Sequence, residues 1–304
     1  MGKEVNIYAI LVSYNAMQWV DRCLGSLLQS TVPISIIVVD NKSTDSTVTY
    51  IQEEYKNVIL LPQEENLGFG QANNVGIRYA MQHGCTHILL LNQDAWIDSD
   101  MVEKLLAYDD EHSLLSPIHL TGDGKKIDHN FYCNAILHSK EFNRYKTEQA
   151  LGIHSKYATD KINAACWLLP RKILEEIGGF NPLFFHYAED DDYLQRLHYH
   201  GKKVYFVSGT FCYHDREFVR PKDPSKQSIY QHLVLRTVDI NHSLFLCSLF
   251  RWRYSIAVWH NALIKHRLRD ICLLYQAKRN LCKNYKVIKE NRLLLTSIGA
   301  HWLT

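Results

Sequence analysis

Apolar runs of four to seven residues alternate with amphipathic stretches through the first third of the chain, in the rhythm of repeated βα units. Residues 7–13 (IYAILVS) read as a strand, 17–29 as a helix, and 34–40 as a second strand whose unbroken Ile-Ile-Val-Val character fits burial on both faces. Asn41 through Ser46 supply turn and N-cap residues for a helix reaching Glu54. A third strand follows at 58–61, a helix at 70–83, a fourth strand at 87–92 and a helix at about 99–108. Right-handed crossovers turn this βαβαβαβα order into a mostly parallel sheet with helices on both faces. Residues 119–160 are polar and aperiodic and read as a long loop or hairpin excursion. The pattern then resumes as a strand at 163–169, a short helix at 171–177 stopped by Gly178-Gly179, a helix at 191–200 and a strand at 203–207.

Composition narrows the class. With 304 residues and 46% hydrophobic content the chain can bury a large core. Its eight cysteines form no CxxC pair, which argues against a zinc ribbon or disulfide framework and for a reducing compartment, the cytosol by default. The first residues lead directly into a strand-like run with no signal-peptide pattern, and no run has the roughly 18 apolar residues of a spanning helix.

Charge is unevenly placed. Residues 1–219 carry 28 acidic and 19 basic side chains, whereas residues 220–304 carry 4 and 15. This predicts a body at 1–227, split near 118–119 into a ligand half and a catalytic half, followed by a basic, mostly helical segment at 228–304.

Candidate chemistry lies at the strand ends. The apolar run Ile88-Leu-Leu-Leu ends in Asn92-Gln93-Asp94, and a second acidic cluster, Glu189-Asp190-Asp191-Asp192, follows about a hundred residues later. Acids at the C-terminal edge of a parallel sheet face the crevice where ligands and metals bind, so the pair suggests a metal ligand and a base. The first strand runs into Val12-Ser13-Tyr14-Asn15 and not into GxGxxG, which excludes a dehydrogenase-type dinucleotide loop. A nucleotidyltransferase would need a Gly- and Arg/Lys-rich phosphate loop at the same place. Asp40 ends the second strand, where a carboxylate can accept the N3–H of uracil or thymine; simple helix capping accounts for Ser43, Thr44 and Asp45 but leaves Asp40 over.

Six motifs in order, Val12-Ser-Tyr-Asn15, Val39-Asp-Asn-Lys-Ser-Thr-Asp45, Asn66-Leu-Gly-Phe-Gly-Gln-Ala-Asn-Asn74, Leu91-Asn-Gln-Asp94, Gly178-Gly-Phe-Asn-Pro-Leu-Phe-Phe185 and Glu189-Asp-Asp-Asp192, resemble the family 2 glycosyltransferases of the GT-A fold. The likeness covers about residues 6–215 and is greatest to the bacterial rhamnosyltransferase-like branch. It implies a GT-A domain with a C-terminal helical appendage that inverts the anomeric centre while moving a sugar, such as rhamnose, in surface polysaccharide synthesis. The donor would be a UDP- or dTDP-linked sugar and the acceptor a saccharide or lipid-linked glycan. The resemblance assigns Val12, Tyr14, Asp40, Asn41, Gly68, Gly70, Asn73, Asn92 and Gln93 to the nucleotide sugar, and Asp94 with His214 to Mn²⁺ or Mg²⁺. The DxD-type motif reads Asn92-Gln93-Asp94 here, so Asp94 is its single charged ligand. That replacement keeps a catalytically silent binding subunit as an alternative. Asp190 falls on the family's base, with Glu189 and Asp192 as orienting acids beside the acceptor. Trp167 either offers an aromatic face to the acceptor sugar or packs in the core.

The basic segment is outside most of the resemblance. Its apolar, aromatic and basic residues (Arg251-Trp-Arg-Tyr254; Leu263, Ile264, Leu268, Ile271) recur at helical spacing. Such helices lie in an anionic membrane interface, here the inner face of the cell membrane, or pack on the body or a second copy as a homodimer. No nucleic-acid module accompanies the charge.

Overall fold

A computed structural model describes residues 5–216 and 225–304. The first four residues, part of the predicted lead into the first strand, lie outside them. The first half follows the expected alternation: β1 Ile7–Ser13, α1 Val20–Leu28, β2 Ile34–Asp40, α2 Thr47–Glu54, β3 Ile59–Pro62, α3 Gly68–Gln82 and β4 His87–Asn92. A short strand β5 (Ala95–Ile97), helix α4 (Met101–Leu106) and a nine-residue strand β6 (Ser113–Thr121) come next. The stretch expected to be loop holds α5 (His129–Phe131), a π-helical turn (Tyr132–Ile136), α6 (Phe142–Ala150) and β7 (Lys156–Ala158). Then come β8 (Cys166–Pro170), α7 (Arg171–Ile177), α8 (Glu189–Tyr199), β9 (Lys203–His214) and four helices, α9 (Lys226–Val238), α10 (Leu244–Ile264), α11 (Leu268–Lys283) and α12 (Tyr285–Leu294).

The sheet runs β3-β2-β1-β4-β8-β6-β9-β5, with β7 also on β9. β1 to β4 pair in parallel, β8 is antiparallel to β4 and β6, and β9 is parallel to β6. Because β2 and β4 flank β1 on opposite sides, the chain reverses its direction of travel at β1, and ligands bind outside the carboxyl ends of strands at such a switch point. Both faces of the sheet are covered, which explains the continuous apolar runs. Ile10, Ile37, Val39 and Leu90 pack toward α3 and α7, whereas Ala9, Leu11, Val38 and Leu91 pack toward α1 and α4. In α1 the buried set Val20, Cys23, Leu24 and Leu27 is the i, i+3, i+4, i+7 stripe of an amphipathic helix.

Both expected boundaries fall inside elements. The one at 118–119 lies in β6, beside the register irregularity at Pro117–Ile118. The one at 227–228 lies in the first turn of α9. The C-terminal helices share a core with the body: Ile229, Leu233 and Val234 of α9 and Leu274, Leu281 and Ile288 behind them pack with Phe184 and Ala188. The chain then returns to the body, where Leu303 enters the main core, Arg78 donates to the Trp302 carbonyl (2.9 Å) and Gly179 N donates to the His301 carbonyl (2.9 Å).

Candidate active site

The carboxyl ends of β1, β2 and β4 frame a cleft of about 410 Å³. Val12, Tyr14, Asn41, Gly68, Asn92, Gln93 and Asp94, seven of the residues anticipated for donor and metal, line it together. Its floor is tied by side-chain amides. The Gln93 amide accepts from Tyr14 N (2.7 Å) and donates to Tyr14 O (3.3 Å), joining the ends of β1 and β4. Asn41 accepts from Leu67 N (2.7 Å) and donates to the Asn66 side-chain oxygen (2.9 Å), which fixes the turn into α3.

Three residues expected at the donor are turned to other work. Asp40 is buried and its carboxylate accepts from Ser13 Oγ (2.8 Å), Ser43 Oγ (2.5 Å) and Ser43 N (2.9 Å), so its lone pairs brace the loop after β2. Asn73 is buried and donates one turn back to Phe69 O. Gly70 leaves room for another element: a Cβ there would stand 2.9 Å from Phe180 Cβ and 3.6 Å from Glu189 Cβ. The expected helix capping is also weaker than read, since Ser46 makes no capping bond and Asp45 accepts from Thr47 N instead.

Sequence reasoning missed the opposite wall, formed by Phe69, Phe185 and His186. This wall is held from two sides. Gly68 adopts φ 76°, where a Cβ would collide with the Phe185 carbonyl, and that carbonyl accepts from Phe69 N (3.2 Å). From the other side Gln231 of α9 donates to the His186 carbonyl. Tyr187 and Ala188 follow with φ of 68° and 72°, an uncommon left-handed pair for non-glycine residues, and they deliver the chain into α8. The buried Asn74 clamps the preceding segment, accepting from Phe180 N (2.7 Å) and donating to Phe180 O (2.8 Å). Asn74 closes one of the six motifs, yet nothing in its spacing assigns it this task.

The acidic cluster divides into four different environments. Glu189 is buried, one of its carboxylate oxygens has no partner, and burial together with the charge of Asp190 pushes its pKa up to about 8. Asp190 is partly open to solvent; desolvation and the neighbouring Asp191 raise it to about 6, while Lys161 opposes the rise. Asp191 forms an ion pair with Lys161 (3.1 Å). Asp192 is enclosed between Arg196 Nε (2.9 Å) and Asn181 (3.2 Å), so it anchors α8 and is not available to an acceptor. Trp167 is likewise withdrawn from any acceptor, being fully buried and stacked on Phe180 (6.3 Å between centroids, 16°) and tilted against Tyr193 (5.8 Å).

Asp94 and His214 meet, with His214 Nε2 3.2 Å from Asp94 Oδ1. The cause is β5, which turns back from β4 and pairs antiparallel with the end of β9, setting Ala95 opposite His214. Burial would raise the Asp94 pKa, but the His214 hydrogen bond and charge outweigh it and hold the carboxyl below its ordinary value. Beside them, the Asn92 side-chain oxygen is buried without a partner. These oxygen and nitrogen donors suit Mn²⁺ or Mg²⁺. Among the described residues no three His, Cys, Asp or Glu side chains converge as a closed metal cage. A cation held here would keep coordination positions for phosphate oxygens.

Comparison with known proteins gives a consistent picture. The model of the family described as Glycosyl transferase family 2 matches residues 8–178. The dTDP-rhamnosyl transferase RfbF of Shigella flexneri is 25% identical over 198 residues, which cover 64% of each chain. An N-acetylglucosaminyl-diphospho-decaprenol L-rhamnosyltransferase of Mycobacterium tuberculosis is 24% identical over 289 residues, covering 86% of this chain and 93% of the relative. Among solved structures, S. aureus TarS 1-349 in complex with UDP-GlcNAc superposes with a TM-score of 0.61 at 16% identity, over 90% of this chain and 79% of the other. GalNAc-T7 with UDP, GalNAc and Mn²⁺ superposes with a TM-score of 0.60 at 14% identity, over 78% and 48%.

Proposed function

Because the chain belongs to glycosyl transferase family 2, we propose that it moves a sugar, rhamnose by its likeness to two rhamnosyltransferases, from a UDP- or dTDP-linked donor to a lipid-linked glycan, with inversion. One observation carries this reading. The wall of the nucleotide-sized cleft, Phe185–His186, runs within four residues into Asp190, so donor and base share one loop.

Asp190 is the base. At pH 7 an acid of pKa about 6 is mostly ionised yet basic enough to take a hydroxyl proton, while Glu189 at about 8 stays protonated beside it. As Asp190 takes the acceptor's proton, the acceptor oxygen attacks C1 from the face opposite the diphosphate and inverts the centre. Asp94 and His214, with Asn92 beside them, would hold a divalent cation, which when bound supplies charge neutralisation for the departing diphosphate. Among the described residues no helix is long and apolar enough to cross a membrane. The exposed, basic and aromatic face of α10 supports contact with an anionic membrane surface, where a lipid-linked acceptor resides.

The test is Asp190→Asn in a transfer assay preceded by a screen of UDP- and dTDP-sugars with and without Mn²⁺. Wild-type transfer should climb as pH rises through about 6. The variant should keep donor binding and lose about 10²- to 10⁴-fold in rate. Near wild-type turnover in Asp190→Asn would place the base elsewhere.

A further inference from the structure

A second cavity of about 750 Å³ opens between α8, α9 and α10, with residues 160–161 on its rim. It adjoins the catalytic loop, since Asp191 and Lys161 line it and Lys161 acts electrostatically on Asp190. Both acids in its wall already have cations: Asp191 pairs with Lys161 (3.1 Å) and Asp160 with Lys140 (3.4 Å). Among the described residues two guanidinium groups have no carboxylate partner. Arg236 is fixed over the Tyr254 ring (4.8 Å) and donates to the His232 carbonyl (3.2 Å). Arg253 has no hydrogen bond or ion pair among the described residues. On the α8 side Gln195 lines the cavity, and its buried side-chain oxygen has no donor among the described residues.

Beyond Arg253 the surface changes character. Phe245, Leu249, Trp252, Ile256, Trp259 and Leu263 recur at alternating spacings of four and three along α10 and are all exposed, so they form one apolar stripe of the helix. From Asp190 outward the molecule therefore presents the proposed base, two guanidiniums without a carboxylate among the described residues, and an apolar helix face.

We propose that this cavity is the subsite for the phosphate groups of the acceptor. The acceptor's sugar hydroxyl would reach toward Asp190, its diphosphate would lie against Arg236 and Arg253, and its hydrocarbon chain would follow the α10 stripe. The assignment rests on the transferase reading above and adds to it the place and the side chains that would hold a lipid diphosphate, the acceptor class in the name of the mycobacterial relative. Guanidinium forks suit phosphate oxygens through paired charge-assisted bonds, and an anionic head with an apolar tail matches the sequence of surfaces.

The experiment titrates farnesyl diphosphate into the full chain in EDTA, following tryptophan fluorescence and heat. Arg253→Gln and Arg236→Gln should each weaken binding by about tenfold or more, with Arg253→Lys retaining more than Arg253→Gln. Farnesol and inorganic pyrophosphate, each lacking one half of the ligand, should bind more weakly than farnesyl diphosphate. Asp94→Ala should leave this binding in place, because Asp94 belongs to the other cleft. The proposal is overturned if the Arg variants bind farnesyl diphosphate like the wild type, if farnesol binds as tightly, or if Asp94→Ala abolishes binding. A separate titration with UDP and dTDP reports the first cleft, so failure of the donor site and failure of this subsite are read independently.

Discussion

Glu189→Gln tests the electrostatics at the start of α8, the proposed catalytic loop, through stability. The buried Glu189 carboxyl carries a pKa of about 8 against 4.5 for a free glutamate. Between those values the folded chain holds a proton that the unfolded chain has released, so the contribution of Glu189 to stability is fully present below about pH 4.5 and is lost as pH rises toward 8. A tenfold change in proton affinity corresponds to about 1.4 kcal/mol, so ionising Glu189 in place costs the fold up to about 5 kcal/mol. Glutamine keeps the shape and cannot ionise. Urea and thermal unfolding of both proteins at pH 5, 7 and 8.5 should therefore nearly coincide at the acid end and separate progressively above it. A gain of a few kcal/mol at pH 8.5 would raise the midpoint by roughly 5–10 °C for a chain of this size. A stability difference that is the same at pH 5 and pH 8.5, or a variant less stable than wild type at pH 8.5, would refute the assigned environment.

Asp94→Ala should weaken binding of UDP or dTDP in the presence of Mn²⁺ and remove most of its metal dependence, with His214→Ala milder; calorimetric titration with and without the metal reports both. Arg196→Met removes the partner of the buried Asp192 and the donor to the Ile177 and Gly179 carbonyls, so it should destabilise by about 3–5 kcal/mol in denaturant unfolding, and a loss under about 1 kcal/mol would contradict the pairing. Replacing Trp252 and Trp259 by Ser should release the protein from anionic liposomes in flotation, and wild-type binding should fall as salt rises. If the intact chain does not float, the α10 stripe serves packing between copies, to be seen as a change in solution mass.

Local patterning carries the first half of the molecule, because β1, β2 and β4 are buried on both faces and their apolar runs are unambiguous. It goes astray where the decisive partner is distant in sequence. The pattern assigns β9 five residues and the strand runs to twelve, since its second half is stabilised by β6 and by β5, a three-residue strand too short to have a period. That same pairing sets His214 beside Asp94, so the motif residue is legible and its route to the site is not. Trp167 shows another limit: strand alternation identifies a face without saying whether core or ligand covers it, and Phe180 and Tyr193 cover it. Asp40 and Asp192 stand out in the sequence as carboxylates near a crevice, and only the fold reveals the neighbouring donors that satisfy both.

The return of residues 299–303 to the body bears on how this protein can be recombined. His301 O receives Gly179 N, Gly299 N reaches the Glu176 carbonyl, and Trp302 lies 5.2 Å from the Arg196 guanidinium. The segment that leads to the proposed base, Asp190, is thus finished by residues 299–303. A chimera joining residues 5–216 of this protein to the tail of a relative would need matching residues at both places. Grafts that exchange α9 to α12 for altered membrane or acceptor preference should succeed only when residues 299–303 travel with Gly178, Gly179 and Arg196 as one inherited unit.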